Sequence, residues 1–406
     1  MPSIAFYAKD LLLYSPKFVR HFCAIFSCAD GARKRMRRQF LSLGGEYMPM
    51  SELERYQATV SHRRPDRLLF YMSFTPDLEK RVRQAEGLDG RASLSRHFGM
   101  FDPVSLTLKK PEGLPSPDWS VYFHDVEKTP GAYFDNNGCL HNPSGEYHFT
   151  HRISPLRNAR SLREIEQYPW PDWRRYGADH FAGIVREAHA AGRVARVRAT
   201  HMYEDAWQVR GYEEFLADLL CEPEWAHYVL DRFKERNRLV AVAAANAGAD
   251  ELHTGDDVAN QRTLMFSIGH WREFIKSKWA EVYATAKALN PHIRIWYHSD
   301  GNITDLIPEL IEIGVDIFNP LQPECLDVEE VKRRYGSRIV IDGAIGTQTT
   351  MPFGSPDDVR ACVKERVRTL GADGALILSP THVLEPEVPL ANIVAFAEAC
   401  REYGVA

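Results

Sequence analysis

Short apolar runs alternate with amphipathic stretches through the second half of the chain. Strand-length runs fall at 249–257, 293–298, 315–320, 338–344 and 374–380 ("ADELHTGDD", "IRIWYH", "VDIFNP", "RIVIDGA", "GALILSP"). Segments predicted to be helical follow them at 267–290, 302–313, 327–335, 355–370 and 388–404. Short apolar strands of this kind are the ones a parallel sheet buries on both faces. Upstream, 192–200 ("GRVARVRAT") reads as a strand, and 211–248 as two helices divided at Pro223. Nearer the start, a strand at 67–73 leads into a charged helix at 76–86. Residues from about 100 to 160 are rich in Pro, Gly and Asn, with Tyr and Phe recurring at a period near two, which predicts a hairpin or lid-like insertion. A helix starting at 161 is stopped by two prolines by 172. Five consecutive β/α units plus the earlier ones suit a (β/α)8 barrel better than an open sheet. No G-x-G-x-x-G follows a strand, which argues against a dinucleotide-binding sheet.

The first 49 residues fit this pattern poorly, being Phe/Cys-rich, then basic, then Gly-rich. Ser51 and Glu54 have capping-box spacing and open a helix. The expectation is a barrel domain over 50–406, preceded by a dispensable extension or a mispredicted start. With 406 residues, 44% of them hydrophobic, the chain can bury a large core. A formal charge of −5 argues against a nucleic-acid partner, and the basic cluster from Arg33 to Arg38 reads as a solvated face. Seven scattered cysteines, odd in number and without C-x-x-C pairing, fit a reducing compartment. No apolar run approaches membrane-spanning length, and 18–29 is too short and interrupted for a secretory signal. A cytoplasmic protein with no membrane contact is expected, its oligomeric state open and a homodimer among the options.

Candidate chemistry gathers at the predicted strand ends, where barrel active sites form. The strand at 249–257 delivers Asp256 and Asp257, and that at 293–298 delivers His298 and Asp300. The strand at 315–320 delivers Asn319, then Gln322 and Glu324; the one at 338–344 delivers Asp342 and Gln348; the last delivers His382. Each has a plain alternative: an aspartate after a strand often only caps a helix, and a lone histidine is more often hydrogen-bonded than ligating. Recurrence at five strand ends favours a site. His298, Asp300 and His382 form a candidate ligand set for a divalent metal, zinc first, with iron or manganese as alternatives. Asp256, Asp257, Glu324 and Asp342 are candidate catalytic groups, and Asn319, Gln322 and Gln348 candidate substrate contacts.

The runs "HSDGNITDLIPELIEIGVDIFNPLQPE" (298–324), "YGSRIVIDGAIGTQTTMPFGSPDDV" (335–359) and "LSPTHVLEPEVPLANIVAF" (378–396) resemble the uroporphyrinogen decarboxylase superfamily. "SHRRPDRLLFYMSF" (61–74) resembles its opening strand, and "GDDVANQRTLMFSIGHWREFIKSKW" (255–279) its middle. The resemblance covers about 50–404. It implies a (β/α)8 barrel with its cleft at the carboxyl ends of the strands. The superfamily includes zinc-dependent methyltransferases that serve corrinoid proteins and coenzyme M. Their H-x-C motif and later cysteine are matched here by His298-x-Asp300 and His382, a harder, N/O ligand set. The decarboxylases' R-Q-A-G-R-Y and F-S-D-I segments have no counterpart, and Arg81, Arg83 and Arg91 are not spaced to replace them. The resemblance therefore implies an enzyme that moves a methyl group between a small substrate and a corrinoid protein, with any cobalamin arriving on that partner. The alternatives are a decarboxylase of an acidic, porphyrinogen-type substrate and a non-catalytic barrel that binds a small metabolite.

Overall fold

In the computed structural model, which describes residues 49–145 and 149–405, eight parallel strands form one sheet. They are β1 (Leu69–Phe70), β2 (Val104–Leu106), β6 (Ala195–Arg198), β7 (Glu251–Gly255), β8 (Arg294–His298), β9 (Ile317–Leu321), β10 (Val340–Ile345) and β11 (Leu376–Pro380). The order is β1-β11-β10-β9-β8-β7-β6-β2, so the two ends of the list are the first two strands in sequence. Phe101 N, just before β2, donates to Phe70 O of β1 at 2.7 Å and closes the ring. The fold is a (β/α)8 barrel. What was expected of residues 1–47 lies outside the described residues.

The helices form where the pattern placed them: Pro223–Ala247, Ser277–Leu289, Val328–Tyr335, Pro356–Leu370 and Leu390–Tyr403. Pro356–Leu370 shows why its boundary is sharp, since Ser355 and Asp358 form a capping box and Pro356 occupies the first turn, where its missing N–H costs nothing. The helix expected at 267–290 begins with a short helical turn and a wider turn at Trp271–Lys276 before it becomes regular at Ser277. That expected at 302–313 is regular only over Ile307–Glu312.

The irregular region is more than an insertion. It contains β2, a barrel strand of three residues, too short to carry a period of its own. A three-stranded antiparallel sheet follows, made of β3 (Tyr133–Phe134), β4 (Leu140–Pro143) and β5 (Thr150–Ile153). Cys139 and Asn137 of this insertion bond to Gln208 O and Asp205 on the helix Tyr203–Arg210, which follows β6 at the carboxyl end of the barrel.

Inside the barrel an apolar floor of Leu69, Trp296, Ile317, Val340 and Ile377 packs with Tyr56 and Phe101. Among the described residues no helix is long and apolar enough to cross a membrane. The five described cysteines are free.

Candidate metal centre

Three carboxyl-end groups from neighbouring strands converge. Asp257 follows β7, His298 ends β8, and Asp300 lies two residues beyond. One ligand-capable atom from each lies within 4.8 Å of the others. His298 Nε2 is 3.7 Å from Asp257 Oδ1 and 3.9 Å from Asp300 Oδ1. Gly255 makes the approach possible, because a Cβ there would meet His298 O at 2.6 Å and His298 Cβ at 2.7 Å.

The imidazole is held from behind by a directed chain of hydrogen bonds. Tyr71 Oη donates to the Asp342 carboxylate (3.1 Å to Oδ1), Asn319 Nδ2 donates to Tyr71 Oη at 3.2 Å, and His298 Nδ1 donates to Asn319 Oδ1 at 2.7 Å. Asp342 also accepts from Trp296 Nε1 and Ser379 Oγ, at 2.8 and 2.9 Å. With every donor pointing toward Asp342, the proton of neutral His298 sits on Nδ1, and Nε2 turns its lone pair toward Asp257 and Asp300. This is how ligating histidines are oriented in metal sites.

Asp257 Oδ1 accepts from Asp300 N at 2.8 Å, fixing the loop that carries both carboxylates. Asp300 Oδ1 is buried and has no hydrogen-bond partner. Burial pushes the Asp300 pKa up; His298 opposes the shift and Asp257 adds to it. A buried, unpartnered carboxylate oxygen beside an oriented imidazole nitrogen is costly in an empty protein and suited to a divalent cation.

The sequence-predicted residues separate into groups. His382 is about half exposed, and its Nε2 lies 3.8 Å from Asp300 Oδ2, whereas His298 faces Oδ1. The tight trio therefore has Asp257 where His382 was expected. Asp256 is fully buried: Oδ1 accepts from Met202 N and Tyr203 N, both at 2.7 Å, and from Glu204 N at 3.3 Å, while Oδ2 accepts from Trp279 Nε1 at 2.7 Å. It anchors the start of the helix Tyr203–Arg210, and with His201 and Glu204 it forms a second, more deeply buried cluster of ligand-capable groups. Asp342 is likewise fully buried and acts through Tyr71 and Asn319. Asn319 is buried and bonds His298 through Oδ1 and Tyr71 through Nδ2, so it positions the imidazole. Glu324 Oε1 accepts from Gln348 N and Thr349 Oγ1, both at 3.1 Å, bracing one loop against the next.

Gln322 and Gln348 line a cavity of about 210 Å³ together with Asp300, Thr347, His382 and Glu385. Gln322 Oε1 accepts from Gly301 N at 3.0 Å. Sequence reasoning missed Tyr71, at the end of β1, and the pair of His201 and Glu204 beside Asp257. Burial lowers the His201 pKa, but the Glu204 carboxylate 2.6 Å away outweighs it and pushes the value up to about 9. A carboxyl-end position on a barrel strand was the one signal available for Tyr71.

An α/β barrel with histidine and carboxylates gathered at the carboxyl end of its strands has the architecture of a barrel enzyme. A profile of the family described as uroporphyrinogen decarboxylase (URO-D) matches residues 199–403, about half of the chain. The chain belongs to the uroporphyrinogen decarboxylase family. It is 25% identical over 182 residues to a uroporphyrinogen decarboxylase of Trichodesmium erythraeum, covering 45% of this chain and 49% of that one. It thus spans about half the length of that relative. Over 261 residues it is 23% identical to the uroporphyrinogen decarboxylase of Pseudomonas savastanoi pv. phaseolicola, covering 61% of this chain and 70% of that one. Among solved structures it is similar to a methyltransferase from Methanosarcina mazei, with a TM-score of 0.63 at 18% identity over 87% of this chain and 99% of that chain. That last likeness is one of fold.

Proposed function

We propose that this chain is a metal-dependent methyltransferase or demethylase that moves a methyl group between a small substrate and a corrinoid carried by a separate protein. The observation that carries the proposal is the convergence of His298 Nε2, Asp257 and Asp300, with the imidazole tautomer set from behind and Asp300 Oδ1 unpartnered. Asp257, His298 and Asp300 would hold the ion, zinc first and iron or manganese as alternatives. When bound, it supplies Lewis acidity at the oxygen or sulfur that loses or gains the methyl group. Gln322 and Gln348 orient the substrate in the adjoining cavity. His382, at its rim, exchanges the proton of the demethylated oxygen or sulfur. A ligand set of nitrogen and oxygen, with no thiolate, suits an oxygen-bearing methyl donor or acceptor.

Decarboxylation of an acidic substrate is the second reading, favoured by the two decarboxylase relatives. Two arginines that could have held such a substrate are engaged elsewhere, Arg81 with Pro386 O and Arg83 with Glu79 and Ala92 O.

The test is elemental analysis of the purified full chain and of its Asp257→Ala, His298→Ala and Asp300→Ala variants. It is paired with absorbance assays of methyl transfer from small methoxy and methylthio donors to free cob(I)alamin. Near-stoichiometric metal that each substitution removes, with metal-dependent methylation of cobalt, is the expected result. A chain that stays metal-free after incubation with zinc, iron and manganese would overturn the reading. Decarboxylation that survives chelation would put the second reading in its place.

A further inference from the structure

Two arginines share one face of β6, and only the lower one is neutralised. Side chains alternate along a strand, so Arg196 and Arg198 both point into the barrel. Arg196 lies 2.5 Å from the fully buried Glu251 and over the Trp296 ring. Arg198 is the last residue of β6, in register with His253 of β7, and is exposed at the mouth. Among the described residues no carboxylate, carbonyl or aromatic ring partners it. Its neighbour supplies no countercharge: His253 stacks 3.5 Å from Trp296, and burial together with Arg196 and Arg198 holds its pKa well below the usual value. Burial and Arg196 also hold the Arg198 pKa below its ordinary value, as expected of a cation with no anion beside it, though a guanidinium stays charged.

We propose that Arg198 binds an anionic group of the substrate, which is a small carboxylic acid whose reacting end reaches Asp257, His298 and Asp300. One strand separates β6 from β8, a span of about 10 Å at roughly 4.8 Å per strand, and an arginine side chain bridges much of it. Only a few bonds can then lie between the carboxylate and the reacting atom. Glu385 and Glu387, on the loop after β11, repel an anion, so the acid end turns toward β6. The planar guanidinium fork matches a carboxylate with two parallel hydrogen bonds. The inference rests on the proposed function for the identity of the reacting end; the anion site does not depend on it.

The test is calorimetric titration of the full chain, incubated with zinc, with methoxyacetate and 3-methoxypropionate, each against its neutral primary amide. The acids should bind roughly 10-fold or more tightly than the amides. Arg198→Gln should abolish that preference at unchanged zinc content and melting temperature, and Arg198→Lys should keep part of it. Equal binding of acid and amide, no saturable binding of either acid, or a preference that survives in Arg198→Gln would each overturn the proposal. The two proposals fail separately. A chain without metal that keeps an Arg198-dependent preference sinks only the methyl-transfer reading, and a zinc-binding chain without the preference sinks only this one.

Discussion

The barrel interior has two polar layers, and they differ in whether the charged groups find their partners within the protein. In the lower layer Glu251 meets Arg196 and accepts from Tyr56 Oη at 3.0 Å, while Asp342 accepts from Tyr71, Trp296 and Ser379. In the upper layer Asp300 Oδ1 has no partner and His298 Nε2 faces two carboxylates without bonding either, while Arg198, exposed at the mouth, has no countercharge among the described residues. Buried polar groups are normally satisfied, so those left unsatisfied at a mouth mark where a ligand completes them. The lower layer is scaffold and the upper layer is site, although both are built from the same residue types.

The largest effect should come from breaking the scaffold. Glu251→Ala strips the buried Arg196 of its countercharge, and removing one partner of a buried ion pair costs about 3–5 kcal/mol. Urea denaturation should show the loss directly. A change below about 1 kcal/mol would mean that Arg196 escapes to solvent, and the contrast between the layers would weaken.

Tyr71→Phe tests the link between the layers. It removes the hydroxyl that receives Asn319 Nδ2 and donates to Asp342, leaving the amide free to turn over and His298 without a fixed tautomer. Loss of such an outer partner typically costs roughly 10–100-fold in metal affinity. Competition with a chromophoric chelator would measure it, and unchanged affinity would break the relay argument.

How far the sequence could be read follows the same division. Strands β7 to β11 were legible because each is short, apolar and followed by an amphipathic helix. β2 was not, since three residues carry no period. Carboxylates at strand ends were legible as candidates, but which of them were already satisfied was not. The donors that saturate Asp256 come from residues 202–204 and Trp279, and those on Asp342 from Tyr71, Trp296 and Ser379, all remote in sequence. Arg198 was hidden for the same reason. Its difference from Arg196 depends on Glu251, one strand away and 55 positions later in the sequence.

Asp300→Asn should act opposite in sign to Glu251→Ala. Burial raises the Asp300 pKa above its ordinary value of 3.8, so the folded state binds this proton more tightly than the unfolded chain does. The stability it contributes is full below 3.8 and is lost as pH rises through the raised value, so at pH 7 the ionised group is a cost. The metal-free variant should therefore melt higher than the metal-free wild type at pH 7, with the gap closing as pH falls toward 3.8. Metal should abolish the advantage, because it stabilises only the wild type. A variant that melts lower at pH 7 without metal would show that Asp300 is already satisfied.

The smallest effect on metal affinity is expected at His382. Its Nε2 reaches the cluster only through Asp300 Oδ2, at 3.8 Å, and its ring is about half exposed. Asp257, by contrast, lies 3.7 Å from His298 Nε2 and fixes the Asp300 backbone. If the trio is the metal centre, His382→Ala should leave affinity for zinc within about threefold while Asp257→Ala abolishes it, because only the latter removes a ligand. Turnover in His382→Ala should fall through loss of the proton carrier, by roughly 100-fold or more, as removing a general acid or base does. The reverse order of metal affinities would restore His382 as a ligand and move the centre toward the cavity, leaving Asp257 to act through the loop it holds. The two substitutions therefore decide whether the ion sits against β7 and β8 or out over the loop that follows β11.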